Sequence, residues 1–163
     1  MRYDITLTID GAPGPFDSVG GYMQYEVTNK ACVPETGSPM NAMRIAPKAW
    51  PPIILHKISD NVYTGAVYAD YFKDEDYYRL GVCHWSLLNI VTELKINKLT
   101  LDPDLTSDQL FSQSSVKSYF VHQDYLDNDM ERSSYGIANP SDYPEIKQED
   151  IFSITLTSKE RTR

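Results

Sequence analysis

The sequence predicts an all-β fold, an antiparallel β-sandwich of about eight strands with one short helix, forming a single domain over residues 1–163. Three observations predict it. Several segments alternate apolar and polar residues with a period of two, as half-buried antiparallel strands do. The ten prolines fall mainly between those segments, where no backbone N–H is needed for a sheet ladder. Hydrophobic residues make up 41% of the chain and aromatics 12%, which is enough to fill a core between two sheets. No internal repeat, low-complexity tract or linker divides the chain.

In chain order, Tyr3, Ile5, Leu7 and Ile9 fall on one face of a first strand, with Asp4, Thr6, Thr8 and Asp10 on the other. After the turn-rich Gly11-Ala12-Pro13-Gly14-Pro15, Met23, Tyr25 and Val27 mark a second strand. Residues 53–58 and 62–69 form the clearest hairpin, with Ser59-Asp60-Asn61 as its turn. Along residues 82–96, Cys83, Trp85 and Leu87 share a face before the pattern slips to Leu88, Ile90, Leu94 and Ile96. A bulge near Leu87 would produce that slip. Leu88, Val91 and Lys95 also fit a helical period, but the bracketing β-branched and aromatic residues favour a strand. A short helix is expected over residues 104–111, capped by Asp104 or Thr106. Residues 116–122 alternate again, and Phe152, Ile154 and Leu156 alternate with Ser153, Thr155 and Thr157.

Charge narrows the function. Lys and Arg number 15 against 23 Asp and Glu, a formal net charge of −8. Such a surface repels phosphates, so nucleic acid is not an expected partner. Anionic membranes are disfavoured by the same charge, and no apolar run has the length to span a bilayer. The first ten residues show no basic start, apolar stretch and small-residue cleavage site. The protein is therefore expected either to be cytosolic or to begin after a removed leader.

Catalytic and metal signals are weak. His56, His84 and His122 each lie in an expected strand without the spacing of a zinc site. Asp127, Asp129 and Glu131 have the 1, 3, 5 spacing of a calcium loop, yet Arg132 stands where the sharp turn needs Gly, and position 12 is Ala138. A glycosidase pair needs one acid with a raised pKa, and nothing in these loops supplies the cause. No nucleophile elbow or phosphate-binding Gly-rich loop occurs, and adjacent strand residues such as Cys83 and His84 point to opposite faces. The expectation is a protein that is not an enzyme and has no cofactor or metal.

What remains is a joint excess of tyrosine and acid in two loops. The first presents Tyr71, Lys73, Asp74, Glu75, Asp76, Tyr77 and Tyr78, and the second Asp124, Tyr125, Asp127 and Asp129. Tyrosine gives large contact area at low entropic cost, and clustered acids steer a basic partner. These residues are the expected partner-binding face. Exposed charges contribute little to folding, so reversing Asp74, Glu75 and Asp76 is expected to spare stability while slowing association. Cys32 and Cys83, 51 residues apart, read either as two buried thiols or as one disulfide.

Three stretches carry a resemblance: Asn29-Lys30-Ala31-Cys32-Val33-Pro34, then residues 60–70 from Asp60-Asn61-Val62 to Ala69-Asp70, then Tyr77-Tyr78-Arg79-Leu80-Gly81-Val82-Cys83-His84-Trp85. Together they resemble periplasmic immunity proteins encoded beside type VI secretion effectors of Gram-negative bacteria. The resemblance covers roughly residues 20–125. It implies a non-enzymatic toxin inhibitor for bacterial competition, whose partner is a cognate secreted effector protein. It also implies that Cys32 and Cys83 match the family's two cysteines and are joined in the oxidising periplasm. The family carries leader peptides; a leader already removed accounts for its absence here. A toxin in that compartment attacks phospholipid or peptidoglycan, so the effector is expected to be a lipase or a peptidoglycan hydrolase whose active site is occluded. The alternative is a carbohydrate-binding module, with Trp50, Trp85 or surface tyrosines stacking on sugar rings.

Overall fold

Two sheets carry the fold in a computed structural model that describes residues 1–162. The strands are β1 (Arg2–Asp10), β2 (Ser18–Val27), β3 (Lys48–Ala49), β4 (Pro52–Ile53), β5 (His56–Ser59), β6 (Val62–Tyr68), β7 (Trp85–Ile96), β8 (Leu99–Leu101) and β9 (Asp104–Thr106). They continue with β10 (Ser115–Val121), β11 (Arg132–Ser134) and β12 (Ile151–Arg161). Helix α1 spans Ser107–Phe111 and α2 spans His122–Leu126. One sheet runs β10-β12-β1-β6-β5. The other runs β11-β8-β7-β2-β3, with β4 added to β2 and β9 to β7. The ladders are antiparallel except for β11 on β8. The expected all-β sandwich is the observed architecture.

The alternation in β1 does what it promised. Tyr3, Ile5, Leu7 and Ile9 are buried against Phe152, Ile154 and Leu156 of β12 and against Met23, Tyr25, Ile90 and Leu94 of the facing sheet. At α1 the cap is Thr106, so the helix starts at Ser107, and residues 104–106, expected to belong to it, instead pair with β7 as β9. The Thr106 hydroxyl accepts from the Gln109 N–H at 3.2 Å, and the Gln109 side chain accepts from the Thr106 N–H at 2.9 Å. The cap fixes a helix short enough to drop Leu110, fully buried, between the sheets. The register slip in the long strand is also present: Gln24 pairs Asn89 but Tyr25 pairs Leu87, so Leu88 is the extra residue and is turned outward.

Three expectations need correction. The strand predicted over residues 53–58 is split: β4 belongs to the seven-stranded sheet and β5 to the other, so the chain changes sheets at Ile54-Leu55. A run of apolar residues looks the same whether one sheet or two use it. Residues 82–84 precede β7, because the disulfide and a side-chain clasp hold them in place of a ladder. His122 opens α2, a second short helix, because the chain turns there to bring Tyr125 under Phe16, ring edge to ring face at 5.5 Å.

Candidate functional site

At the Val27/Trp85 end of the β2–β7 ladder the chain is clamped. Cys32 and Cys83 form a disulfide with their Cα atoms 5.3 Å apart, packed with Val27, Val33 and Trp85. Asn29 completes the clamp from one side chain. Its amide donates to the Val82 carbonyl at 2.6 Å and its oxygen accepts from the His84 N–H at 2.7 Å, as a neighbouring strand would. Asn29 has no local signature of its own in the sequence. Its role depends on residues more than fifty positions away, which no local pattern reveals.

The clamp fixes the first tyrosine–acid loop, residues 70–84. At its base Phe72 stacks on Trp85 with centroids 4.6 Å apart and meets Tyr25 edge-on at 5.2 Å, and Tyr71 packs on Phe72 at 5.0 Å. Further out the acids turn inward on the loop itself. Asp74 accepts from the Trp85 N–H and pairs with the His84 imidazole, both at 2.9 Å. The His84 contact and then the Trp85 N–H hold the Asp74 carboxyl below the usual carboxylate range. Asp76 accepts from the Leu80 and Gly81 N–H groups at 3.0 and 3.3 Å, Glu75 pairs with Lys73 at 2.8 Å, and the Tyr77 hydroxyl donates to the Lys73 carbonyl.

These bonds change what a charge reversal would do. Lysine at positions 74 and 76 would remove acceptors from three backbone N–H groups, so the triple reversal is expected to disorder the loop as well as change its charge. The loop's outward surface is apolar as well as acidic. Tyr71 (51% exposed), Tyr77, Tyr78, Leu80 and Val82 all face solvent.

A second exposed element leaves from the same clamp. Thr36 and Met43 exchange both backbone hydrogen bonds, at 2.7 and 2.9 Å, making a finger with Met40 at its tip, 94% exposed. Gly37 enters the tip with φ of +98°, and a Cβ there would meet the Asn41 carbonyl oxygen. Arg44 roots the finger by donating to the carbonyls of Ala31 and Val33 at 3.0 and 2.6 Å, and Met43 and Ile45 are exposed beside it. The finger lies in a Pro-rich stretch without periodicity and was not among the expected site residues.

The second loop does not join this face. Lys98 donates its N–H to the Asn128 carbonyl at 3.0 Å, which places the loop at the Ser18/Lys95 end of β2–β7. The ten residues of β2 separate the two loops by about 30 Å. Tyr125 is buried, with its hydroxyl bonded to the Pro15 carbonyl, so it is a core residue and not a contact residue. Arg132 binds the Asp124 carboxylate at 3.2 Å and the Asp124 and Asp127 carbonyls at 3.1 Å. The positive charge among these oxygens is thus the chain's own guanidinium. Asp127 and Asp129 remain exposed at that far end.

No protein-family model matches the chain, and neither a curated protein nor a solved structure matches it. Among the described residues no group of three or more His, Cys, Asp or Glu is arranged to hold a metal ion. No helix of the described residues is long and apolar enough to cross a membrane. His122 bonds the Gly11 carbonyl at 2.9 Å and His84 bonds Asp74, so two of the three histidines are engaged locally. Trp85 is half-buried under Phe72, whereas Trp50 is exposed, so the two indoles do not share a flat sugar-stacking surface.

Outside the two loops, one acid has a raised pKa. Asp102 is pushed up to about 6, first by burial and then by Glu93, with Asp104 adding to the rise and Lys95 opposing it. Because the folded-state pKa lies above the unfolded one, this group's stability contribution is complete below about pH 4 and is lost as pH rises through about 6. Asp102→Asn is therefore expected to stabilise the protein at pH 7.5 by about 1 kcal/mol, a value discounted for the solvent still reaching the side chain. Thermal melts should show the gain at pH 7.5 and none at pH 4. An equal gain at both values would mean that charge is not the cause.

Proposed function

We propose that the protein is an immunity protein that binds and blocks a secreted type VI effector acting in the periplasm, a lipase or peptidoglycan hydrolase, by covering its active site. The observation that carries this reading is the clamped loop of residues 70–84. Its backbone and carboxylates are tied down internally while Tyr71, Tyr77, Tyr78, Leu80 and Val82 are left outward. A surface ordered before binding loses little entropy when it docks, and exposed aromatic and aliphatic side chains supply the contact energy. Met40, Met43 and Ile45 of the finger extend the surface with side chains that repack easily. The disulfide suits an oxidising compartment. The face is drawn here from the first loop and the finger; the second loop lies at the other end.

The test uses the oxidised protein as bait in lysate of the source organism, followed by expression of the captured partner in the periplasm. A single stoichiometric partner that is toxic there, and harmless when this protein is co-expressed, is the expected result. Tyr78→Ala/Leu80→Ala should melt near wild type, since both side chains are exposed, and should weaken binding about a hundredfold. Capture that is unchanged by that variant would rule out the loop as the binding face.

A further inference from the structure

The outer face of the five-stranded sheet carries a groove of about 640 Å³, a size typical of sites for small ligands. Its floor is set by cross-strand register. Arg161 pairs Arg2, Lys159 pairs Asp4, and Thr157, Thr6 and Thr64 form a row across β12, β1 and β6. Side chains alternate along a strand, so these residues stand opposite the buried Tyr3, Ile5 and Leu7.

Two features of this floor point to a ligand. The first is charge. Three permanent cations, Arg2, Lys159 and Arg161, line the groove against one carboxylate, Asp4, in a chain whose net charge is −8. Asp4 lies 3.2 Å from Arg2 and 2.6 Å from Arg161, which leaves positive charge in excess. The second is hydroxyl chemistry. Each threonine hydroxyl both donates and accepts, which matches a polyol. The exposed Tyr68 and Tyr71 side chains line the same groove and add aromatic surface on which a sugar ring can pack.

We infer that this groove binds an acidic saccharide, a short sugar chain carrying carboxylates. The guanidiniums would take the carboxylates in paired hydrogen bonds, and the threonine row would take the ring hydroxyls. An acidic peptide fits less well. β12, β1 and β6 are interior strands already paired on both sides, so no free backbone edge is available for a peptide to extend.

Isothermal titration of the full oxidised chain with trigalacturonic acid tests this, with maltotriose as the neutral sugar and hexa-aspartate as the peptide. Trigalacturonic acid is expected to bind at millimolar concentration or tighter, with hexa-aspartate at least about tenfold weaker and maltotriose silent. Lys159→Ala/Arg161→Ala should weaken it about tenfold or more while melting near wild type, since surface ion pairs contribute little. Thr157→Val, which keeps the shape and removes one hydroxyl, should weaken it severalfold. The inference is overturned if trigalacturonic acid gives no heat, if the lysine–arginine variant binds it equally, or if maltotriose or hexa-aspartate binds as tightly. None of the substituted residues belongs to the loop of residues 70–84, so failure here leaves the toxin-binding reading standing.

Discussion

Replacing both Cys32 and Cys83 with alanine is expected to destabilise the protein by about 4 kcal/mol, because the crosslink closes a loop of 51 residues in the unfolded chain. For a chain of this length that corresponds to a drop in Tm of about 10 °C. Alanine is the right replacement, because both sulfurs are almost completely buried beside Val27 and Val33, and serine would add the cost of a buried hydroxyl. The loss should not be spread evenly. Asn29, Asp74 and Asp76 still hold residues 70–84 in the variant, but those bonds are exposed and individually weak. Amide hydrogen exchange should therefore rise first in residues 70–84 and 29–45, while the centres of β1, β7 and β12 stay protected. Partner affinity should fall with it, because ordering of the loop would then accompany binding. A variant that melts within a degree or two of the parent would show that neither the crosslink nor the sulfurs hold this end together, and that its remaining contacts suffice.

Legibility of the fold from sequence followed the range of the physics. β1 and β12 were visible because each has one face in the core, and a period of two is a local property. The Leu88 bulge and the Thr106 cap were legible for the same reason, since both are settled within a few residues. The sheet change at Ile54-Leu55 was hidden, because apolar side chains bury equally well in either sheet. The candidate face was half legible. The tyrosines and acids of the first loop stand out in the sequence as a local excess of two residue types. Only the folded chain shows that Asp74 and Asp76 serve the loop's own backbone, and that the second loop lies at the far end of β2. Asn29, Arg44 and the methionine finger carry no repeating pattern. Asn29 takes its role from Val82 and His84, more than fifty positions away, and Arg44 from the carbonyls of Ala31 and Val33 beside the disulfide.

Two glycines stand where a Cβ has no room, and Gly21→Ala is expected to cost about 3 kcal/mol. Gly21 pairs with Ile53 on one side and Thr92 on the other, and a Cβ there would run into the Val91 carbonyl oxygen. That oxygen belongs to the β2–β7 ladder and cannot retreat without breaking it. Gly65, in the opposite sheet, faces the sheet change instead: its Cβ would lie 2.8 Å from the Ile54 carbonyl oxygen and 2.9 Å from the Leu55 side chain. Gly65→Ala should cost about 1–3 kcal/mol, the leucine giving way more readily than a backbone carbonyl. Gly20 is the internal control, since a Cβ there meets nothing within 4 Å. Gly20→Ala should leave stability unchanged or raise it by about 0.5 kcal/mol through the unfolded chain. Urea unfolding of the three single variants and of the Gly21→Ala/Gly65→Ala pair would separate the effects. The two clashes involve different atoms, Val91 for Gly21 and Ile54-Leu55 for Gly65, so the pair is expected to cost the sum of its parts. A pair that costs clearly less than the sum would mean that one shift of the chain relieves both clashes, and a cost at Gly20 equal to that at Gly21 would locate the effect in strand β2 itself.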